Sequence, residues 1–379
     1  MPHSKPQFRE KHIKDEISKF ARDFVRPLWS ATRKLEREQP KTALILSFGS
    51  QIFSKPHWSG YGGADANAIL NLFWKANIPT TIITEEEIRN GDLKKYDTLL
   101  LFRTSHLPQD VFSKIQDFNK NGGKILTEPD SPWAKLIPAS IKFQIQTEKI
   151  TKSTYYAIAY QKGYTADIVY AEQQRIAKDL KQFKKPGSTF ADTNSTELYI
   201  RTLESGNCKY VFLMNDKRTF GDYFGKKYKA VFDAGLPLTA EVSLKTNGAV
   251  YEFPAKKKHV LKNGKLSLNF KPVEGKLLII YPEEVAVVKV ENVPAFKAGE
   301  YAFFNISILN AKQQKLKGVQ PVRLVLTNPK GKKTEVFTSA KDGIVKFSYL
   351  PGINEPKGKW KLEAEELASG MKTAREWTF

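Results

Sequence analysis

The residues of this chain that could do chemistry gather between Lys41 and Asp130. Ser50 and Gln51 close an apolar run that starts at Thr42. His57, Trp58 and Tyr61 follow in a loop, Gly49 to Gly63, rich in glycine and aromatic residues. Arg103, Thr104, Ser105 and His106 come directly after a second apolar run, Tyr96 to Phe102, while Glu128 and Asp130 come after a third, Gly122 to Thr127. Two histidines and two carboxylates in such a group could hold a metal ion or serve as acid and base. The same residue types also start helices and line wet crevices, and Ser105 and Asp110 suit helix starts. The weight falls on that structural reading. Gly62-Gly63 before a helix is similar to a phosphate-cradling turn, but the Gly-x-Gly-x-x-Gly fingerprint is absent and no cofactor is expected.

The elements that must position these residues are short apolar runs alternating with amphipathic segments. Continuous apolar runs imply strands covered on both faces, as in a parallel sheet. The order strand, helix, strand, strand, helix, strand predicts an α/β domain of doubly wound type. In a flavodoxin-like strand order, strands one and three flank a crevice at their carboxyl ends. Ser50, Gln51 and His57 would then face Arg103 to His106, with Glu128 and Asp130 nearby.

Before this domain, residues 8 to 38 predict a helical lead-in. Ile13, Ile17, Phe20, Phe24 and Leu28 share one face, and the helix is expected to pack on its own domain. Pro27 should kink or end it near Arg26, with a second short helix over Ala31 to Gln39. Beyond Asp130 the pattern is less regular. Ser131-Pro132 reads as a turn, Ile141 to Ile150 as a strand, Tyr170 to Phe183 as a helix and Ser188 to Ser195 as a linker.

From Glu197 the apolar period changes to two. Strands are expected over 197–203, 209–215, 238–244, 248–253, 265–270 and 276–281, with Asn263-Gly264 as a turn, giving a β-sandwich. Pro282 to Glu284 marks a boundary. Seven further strands between Val285 and Phe379 then predict an immunoglobulin-like sandwich with Trp360 and Trp377 in its core. The expected division is 1–40 helical lead-in, 41–190 α/β, 191–284 β-sandwich and 285–379 immunoglobulin-like.

Composition narrows the function classes. The formal net charge is +21, which suits an acidic polymer or anionic surface. The lysines are dispersed in short groups, such as Lys184-Lys185 and Lys330 to Lys333, that read as solvated turns. No nucleic-acid-binding signature accompanies them, so a nucleic-acid partner is not expected. No apolar run approaches the roughly 20 residues that span a bilayer, so no transmembrane segment is expected. Met1 to Arg9 is polar and shows no secretory pattern. Cys208 is the single cysteine, which leaves no intrachain disulfide and no cysteine-based zinc site.

Several stretches resemble a known module. Val25-Arg-Pro-Leu28, Ala43 to Phe53, Tyr96 to Phe102 and Phe118 to Leu126 are similar to the class I glutamine-amidotransferase-like domain of large bacterial glycosidase-like proteins, the trimerisation type of family 42 β-galactosidases. Phe212 to Asp222, Gly235-Leu-Pro237 and Glu274 to Leu278 resemble the β-sandwich that follows it. Pro356 to Leu362 is similar to the closing strands of bacterial immunoglobulin-like repeats. The family is typically exported. The chain departs from it where activity would reside. Catalytic amidotransferases use a cysteine nucleophile, and the α/β region has none. Ser131-Pro132 does not form a nucleophile elbow, and the glycosidase barrel with its paired carboxylates is absent.

The resemblance therefore implies a non-catalytic accessory or assembly portion of a glycosidase-like protein. Its partner would be a separate barrel subunit or further copies of the chain, and carbohydrate a possible ligand. Two other readings stand beside it. One is a hydrolase acting on carbohydrate through the His57, His106 and Asp130 crevice. The other is a polyanion- or glycan-binding adhesion-type protein.

Overall fold

The computed structural model describes residues 11–53, 64–145, 166–185, 187–224, 230–294 and 297–378. His57, Trp58 and Tyr61 therefore lie outside the described residues, as does Ile150 of the expected strand. The chain starts with α1 (Lys11–Phe20), continues through a π-helical turn (Ala21–Val25) and becomes α2 (Arg26–Thr32). Pro27 explains the π-turn. A proline has no N–H to donate and its ring crowds the carbonyl four residues back, so the Arg26 N–H reaches Ala21 O instead.

The second helix of the lead-in packs on the last unit and not on the α/β unit that follows it. Leu28 and Ala31 of α2 are buried in a core that includes Val322 and Leu324, and Ser30 Oγ lies 2.9 Å from Ser339 Oγ. Only part of the expected apolar face is used, since Ile17 and Phe20 are exposed. The second helix ends at Thr32, where the sequence predicted one running to Gln39. After it, β1 (Glu36–Arg37) adds an edge to a sheet of the middle unit, Arg37 standing opposite Leu203.

The α/β unit comprises β2 (Thr42–Leu46), α3 (Phe48–Phe53), α4 (Ala64–Lys75), β3 (Thr80–Thr84), α5 (Glu85–Arg89), β4 (Thr98–Leu100), α6 (Gln109–Lys120), β5 (Lys124–Thr127), α7 (Pro132–Leu136), β6 (Ile141–Lys142) and α8 (Ala166–Leu180). Its five strands are all parallel, in the order β3-β2-β4-β5-β6. Side chains alternate between faces of a strand. Leu44, Leu100 and Leu126 pack with α4 and α8, whereas Ala43, Ile45, Leu99 and Ile125 pack with α5, α6 and α7. Both faces are thus covered, and each fully buried leucine or isoleucine contributes about 1.5–3 kcal/mol. A capping box starts α5, with Thr84 Oγ1 accepting from Glu87 N and Thr84 N donating to the Glu87 carboxylate.

The middle unit holds β7 (Ala191–Thr193), β8 (Leu198–Ser205), β9 (Cys208–Asn215), β10 (Arg218–Phe224), β11 (Ala230–Gly235), β12 (Leu238–Leu244), β13 (Ala249–Phe253), β14 (Lys257–His259), β15 (Lys265–Phe270) and β16 (Gly275–Tyr281). A six-stranded sheet, β1-β8-β9-β16-β13-β14, and a three-stranded one, β15-β12-β7, enclose a core of Val211, Leu213, Val242, Leu268 and Ile280, while β10 and β11 form a separate hairpin. The expected linker at Ser188 to Ser195 is in part the strand β7, hydrogen-bonded to β12. Alternation is too short over three residues to show in sequence.

The last unit contains β17 (Val287–Val290), β18 (Ala302–Leu309), β19 (Val319–Thr327), β20 (Lys333–Lys341), β21 (Ile344–Tyr349), β22 (Lys359–Glu366) and β23 (Lys372–Thr378). These make one antiparallel sheet, β17-β18-β21-β20-β19-β22-β23, whose two edge strands come together to nearly close it. That differs from the expected pair of stacked sheets. Strand count and spacing are the same for a sandwich and for a sheet curled on itself, so the sequence pattern does not separate them. Trp360 is buried at its centre and Trp377 is half-buried.

Candidate functional site

The carboxyl ends of β2, β4 and β5 bring the predicted polar residues into two groups. In the first, Ser50 Oγ donates to His106 O at 2.9 Å and accepts from the N–H groups of Ser105 and His106, each at 3.0 Å. Ser47 Oγ lies 2.7 Å from both Glu85 Oε1 and His106 O and accepts from Ser50 N at 3.0 Å. Gly49 N donates to Glu85 Oε1 at 3.2 Å. In the second, Arg103 takes a left-handed backbone conformation, φ 55°, and its N–H donates to Glu128 Oε2 at 3.0 Å.

These bonds determine what the crevice can do. A hydroxyl has one proton and two lone pairs, and Ser50 uses all three on backbone groups. Its proton points to a carbonyl, not to an imidazole, so Ser50 itself is not paired with a base as an activated nucleophile is. His106 enters the cluster through its backbone. Its exposed ring meets Ser105 Oγ at 2.9 Å and the Phe53 ring at 5.7 Å. Asp130 is exposed beyond β5, and no hydrogen bond joins it to His106 among the described residues. Gln51 is half-buried in α3. Thr104 is buried and offers its carbonyl to the Trp133 indole at 2.6 Å. Ser131 caps α7 by accepting from Trp133 N. Pro108, not Ser105, occupies the N-cap of α6, and Asp110 in its first turn pairs with Arg89 at 2.7 Å. Among the described residues no three His, Cys, Asp or Glu side chains are grouped to hold a metal.

A second polar site lies where the α/β and middle units meet, and sequence reasoning missed it. Lys75, in the last turn of α4, is 1% exposed. Its ammonium lies 2.6 Å from Asp216 Oδ2 and sits over the rings of Tyr199 at 4.9 Å and Tyr170 at 5.4 Å. Asp216 also pairs with Arg218, Tyr170 donates to Glu197 at 3.0 Å, and Tyr199 donates to Asn71 Oδ1. Burial holds the Lys75 ammonium below its ordinary value, against the pull of Asp216. Burial likewise raises both tyrosines, Glu197 adding to the effect at Tyr170 and Asp216 at Tyr199. These groups border a cleft of about 1650 Å³ between α4, the outer face of the six-stranded sheet and the lead-in. One signal was available: Lys75 falls three residues after Leu72 and seven after Ala68, on the buried stripe of α4, so it needed a partner. Asp216, 141 residues away, carried no signal of its own.

Cys208 is buried beside the last unit, its thiol 3.3 Å from Val319 O. Burial pushes the thiol up to about 12, which removes the thiolate that nucleophilic chemistry requires. No helix among the described residues is long and apolar enough to cross a membrane.

No protein-family model matches the sequence, and a search of curated proteins finds no match. Among solved structures, the chain is similar to alpha-L-fucosidase isoenzyme 2 from Paenibacillus thiaminolyticus, with a TM-score of 0.43 and 11% identity over 67% of this chain and 50% of that one. The chain thus spans about half the length of that protein. A putative sugar-phosphate isomerase from Listeria monocytogenes matches at TM-score 0.22 and 14% identity, over 46% of this chain and 92% of that one. The Endo-D glycoside hydrolase domain of Streptococcus pneumoniae R6 matches at 0.19 and 10%, over 50% and 36%. At these TM-scores the likenesses do not bear on activity.

Proposed function

We propose that the chain is a non-catalytic accessory part of a carbohydrate-acting assembly. The saturated hydroxyl of Ser50 supports this reading most directly. At the strand ends where an α/β domain usually builds its site, Ser47, Ser50 and Glu85 are spent on tying α3 to the loop after β4. The parallel order, with the first strand between the second and third, supports assignment to the flavodoxin-like, class I amidotransferase-like group. The changes of sheet support a division at about 41, 191 and 285. In this reading the α/β unit offers an assembly surface to a separate barrel subunit or to further copies of the chain.

The test is a hydrolysis screen of the purified chain on nitrophenyl glycosides and glutamine, with His106→Ala beside it. The expected outcome is no turnover by either protein. Turnover by the parent chain that disappears in His106→Ala would overturn the proposal in favour of a hydrolase.

A further inference from the structure

The cleft beside Lys75 carries a pair of arginines that the rest of the molecule leaves unmatched. Arg37 on β1 stands opposite Leu203 of β8, and Arg201 lies two residues back along the same strand. Directly opposed residues, and residues two apart on a strand, share a face of the sheet. Both side chains therefore point from the outer face of the six-stranded sheet and line the cleft. Both residues are exposed, and among the described residues neither forms an ion pair. Partial burial in the cleft, and then the charge of Arg37, hold Arg201 below the ordinary guanidinium value. Two adjacent like charges without a counterion make a local positive field that favours an anion.

The neighbouring surface is of a different kind. Trp74 is 40% exposed and its indole N–H is anchored on Thr80 O at 3.1 Å. Phe20 and Met214, 57% and 49% exposed, extend this apolar wall. Carboxylates also reach the cleft, from Glu38 and Asp216.

We propose that this cleft binds an acidic oligosaccharide, with Arg37 and Arg201 taking a carboxylate or sulfate group and Trp74 stacking on a sugar ring. Guanidinium forks match planar or tetrahedral oxyanions, and an anchored indole presents a large apolar face. Sugar hydroxyls need acceptors as well as donors, and the half-buried Glu38 supplies one. A nucleic acid, poorer in hydroxyl donors, would leave that acceptor unused. The net charge of +21 would speed capture of an acidic chain from solution. This assignment is independent of whether the α/β unit assembles with a barrel.

Isothermal titration of the whole chain tests it, using a galacturonic acid hexamer, its methyl ester, a heparin hexasaccharide and oligo(dT). One or both acidic sugars should bind, and which one does identifies the anionic group. The methyl ester and oligo(dT) should bind at least tenfold more weakly. Arg37→Ala and Arg201→Ala should each weaken the acidic sugar by about tenfold, the scale of one hydrogen bond to a charged group. Trp74→Ala should weaken it too, but the two exposed arginines decide the matter because their removal spares the fold. The variant Lys330→Ala, Lys332→Ala, Lys333→Ala removes equal or greater charge far along the chain and should change affinity less than twofold. The proposal is overturned by an equal response to the lysine variant, equal binding of the ester, stronger binding of oligo(dT), or no binding of either acidic sugar.

Discussion

The strand-end crevice and the interunit cleft contain the same kinds of side chain and use them in opposite ways. In the crevice, Ser47, Ser50 and Glu85 turn inward and saturate backbone groups of the neighbouring loop. In the cleft, Lys75, Asp216 and Tyr199 join two units and leave arginines and an indole at the rim of open space. Polar residues close in sequence came together to build a loop. Polar residues far apart in sequence came together to build a cavity. Clustering of reactive residue types along a chain is therefore a poor guide to where ligands go, because a local cluster can satisfy itself.

The comparison can be broken most forcefully at Lys75. Lys75→Ala leaves the buried Asp216 carboxylate only its pair with Arg218, and removing one partner of a buried pair costs up to about 3–5 kcal/mol. Urea unfolding should show a loss of that size, while Lys75→Met with Asp216→Leu should recover most of it. A loss below 1 kcal/mol on the single change would mean that Lys75 does not brace the cleft.

At Ser50 the expected effect is smaller and of a different type. Ser50→Ala takes the shared acceptor from the N–H groups of Ser105 and His106, while His106 O keeps Ser47 Oγ, a loss of about 1–3 kcal/mol. If instead stability were unchanged and a hydrolytic activity disappeared, the crevice would be a site and not a scaffold.

Glu252 gives the smallest and most pH-sensitive effect. It takes Lys276, which lines the cleft, at 2.7 Å and His259 at 2.8 Å. Burial opposes its ionisation, but the bonds from Lys276 and His259 prevail and hold its carboxyl below the ordinary 4.5. A depressed folded value stabilises the protein above the unfolded value and loses that contribution as pH falls through the folded one. Glu252→Gln should thus cost about 1–2 kcal/mol at pH 7 and less at an acid pH below the folded value, as read from urea midpoints at each pH. An equal cost at both would show that the charge is not what matters.

Much of the fold was legible because its signals are local. The buried runs Thr42–Leu46 and Lys124–Thr127, and the period-two alternation of Leu238–Leu244 and Lys359–Glu366, predicted strands that are present. What could not be read depends on long-range pairing. Phe24 and Leu28 show an apolar face but not which surface covers it. Lys184 reads as a solvated turn lysine, yet its side chain is only 9% exposed and pairs with Asp192 at 2.6 Å. The candidate site divides in the same way. Ser50 and the His106 backbone lie together at the strand ends, whereas the saturation of the Ser50 hydroxyl depends on an angle of approach that no residue spacing encodes. The contribution of His57 lies outside the described residues.

The lead-in has a consequence for the order of events during synthesis. Leu28 and Ala31 are buried in the core of the last unit, and Ser30 meets Ser339, 309 residues later. At about 5–20 residues per second, the ribosome needs roughly 15–60 s to make that partner. Through that interval α2 has emerged but cannot bury its apolar face where it finally belongs. These two helices would then dock only after the last unit is made, and until they do, the wall that Phe20 and Phe24 give to the cleft is missing. A cavity whose rim is set by so late a docking segment exists only once synthesis has passed the strand Lys333–Lys341.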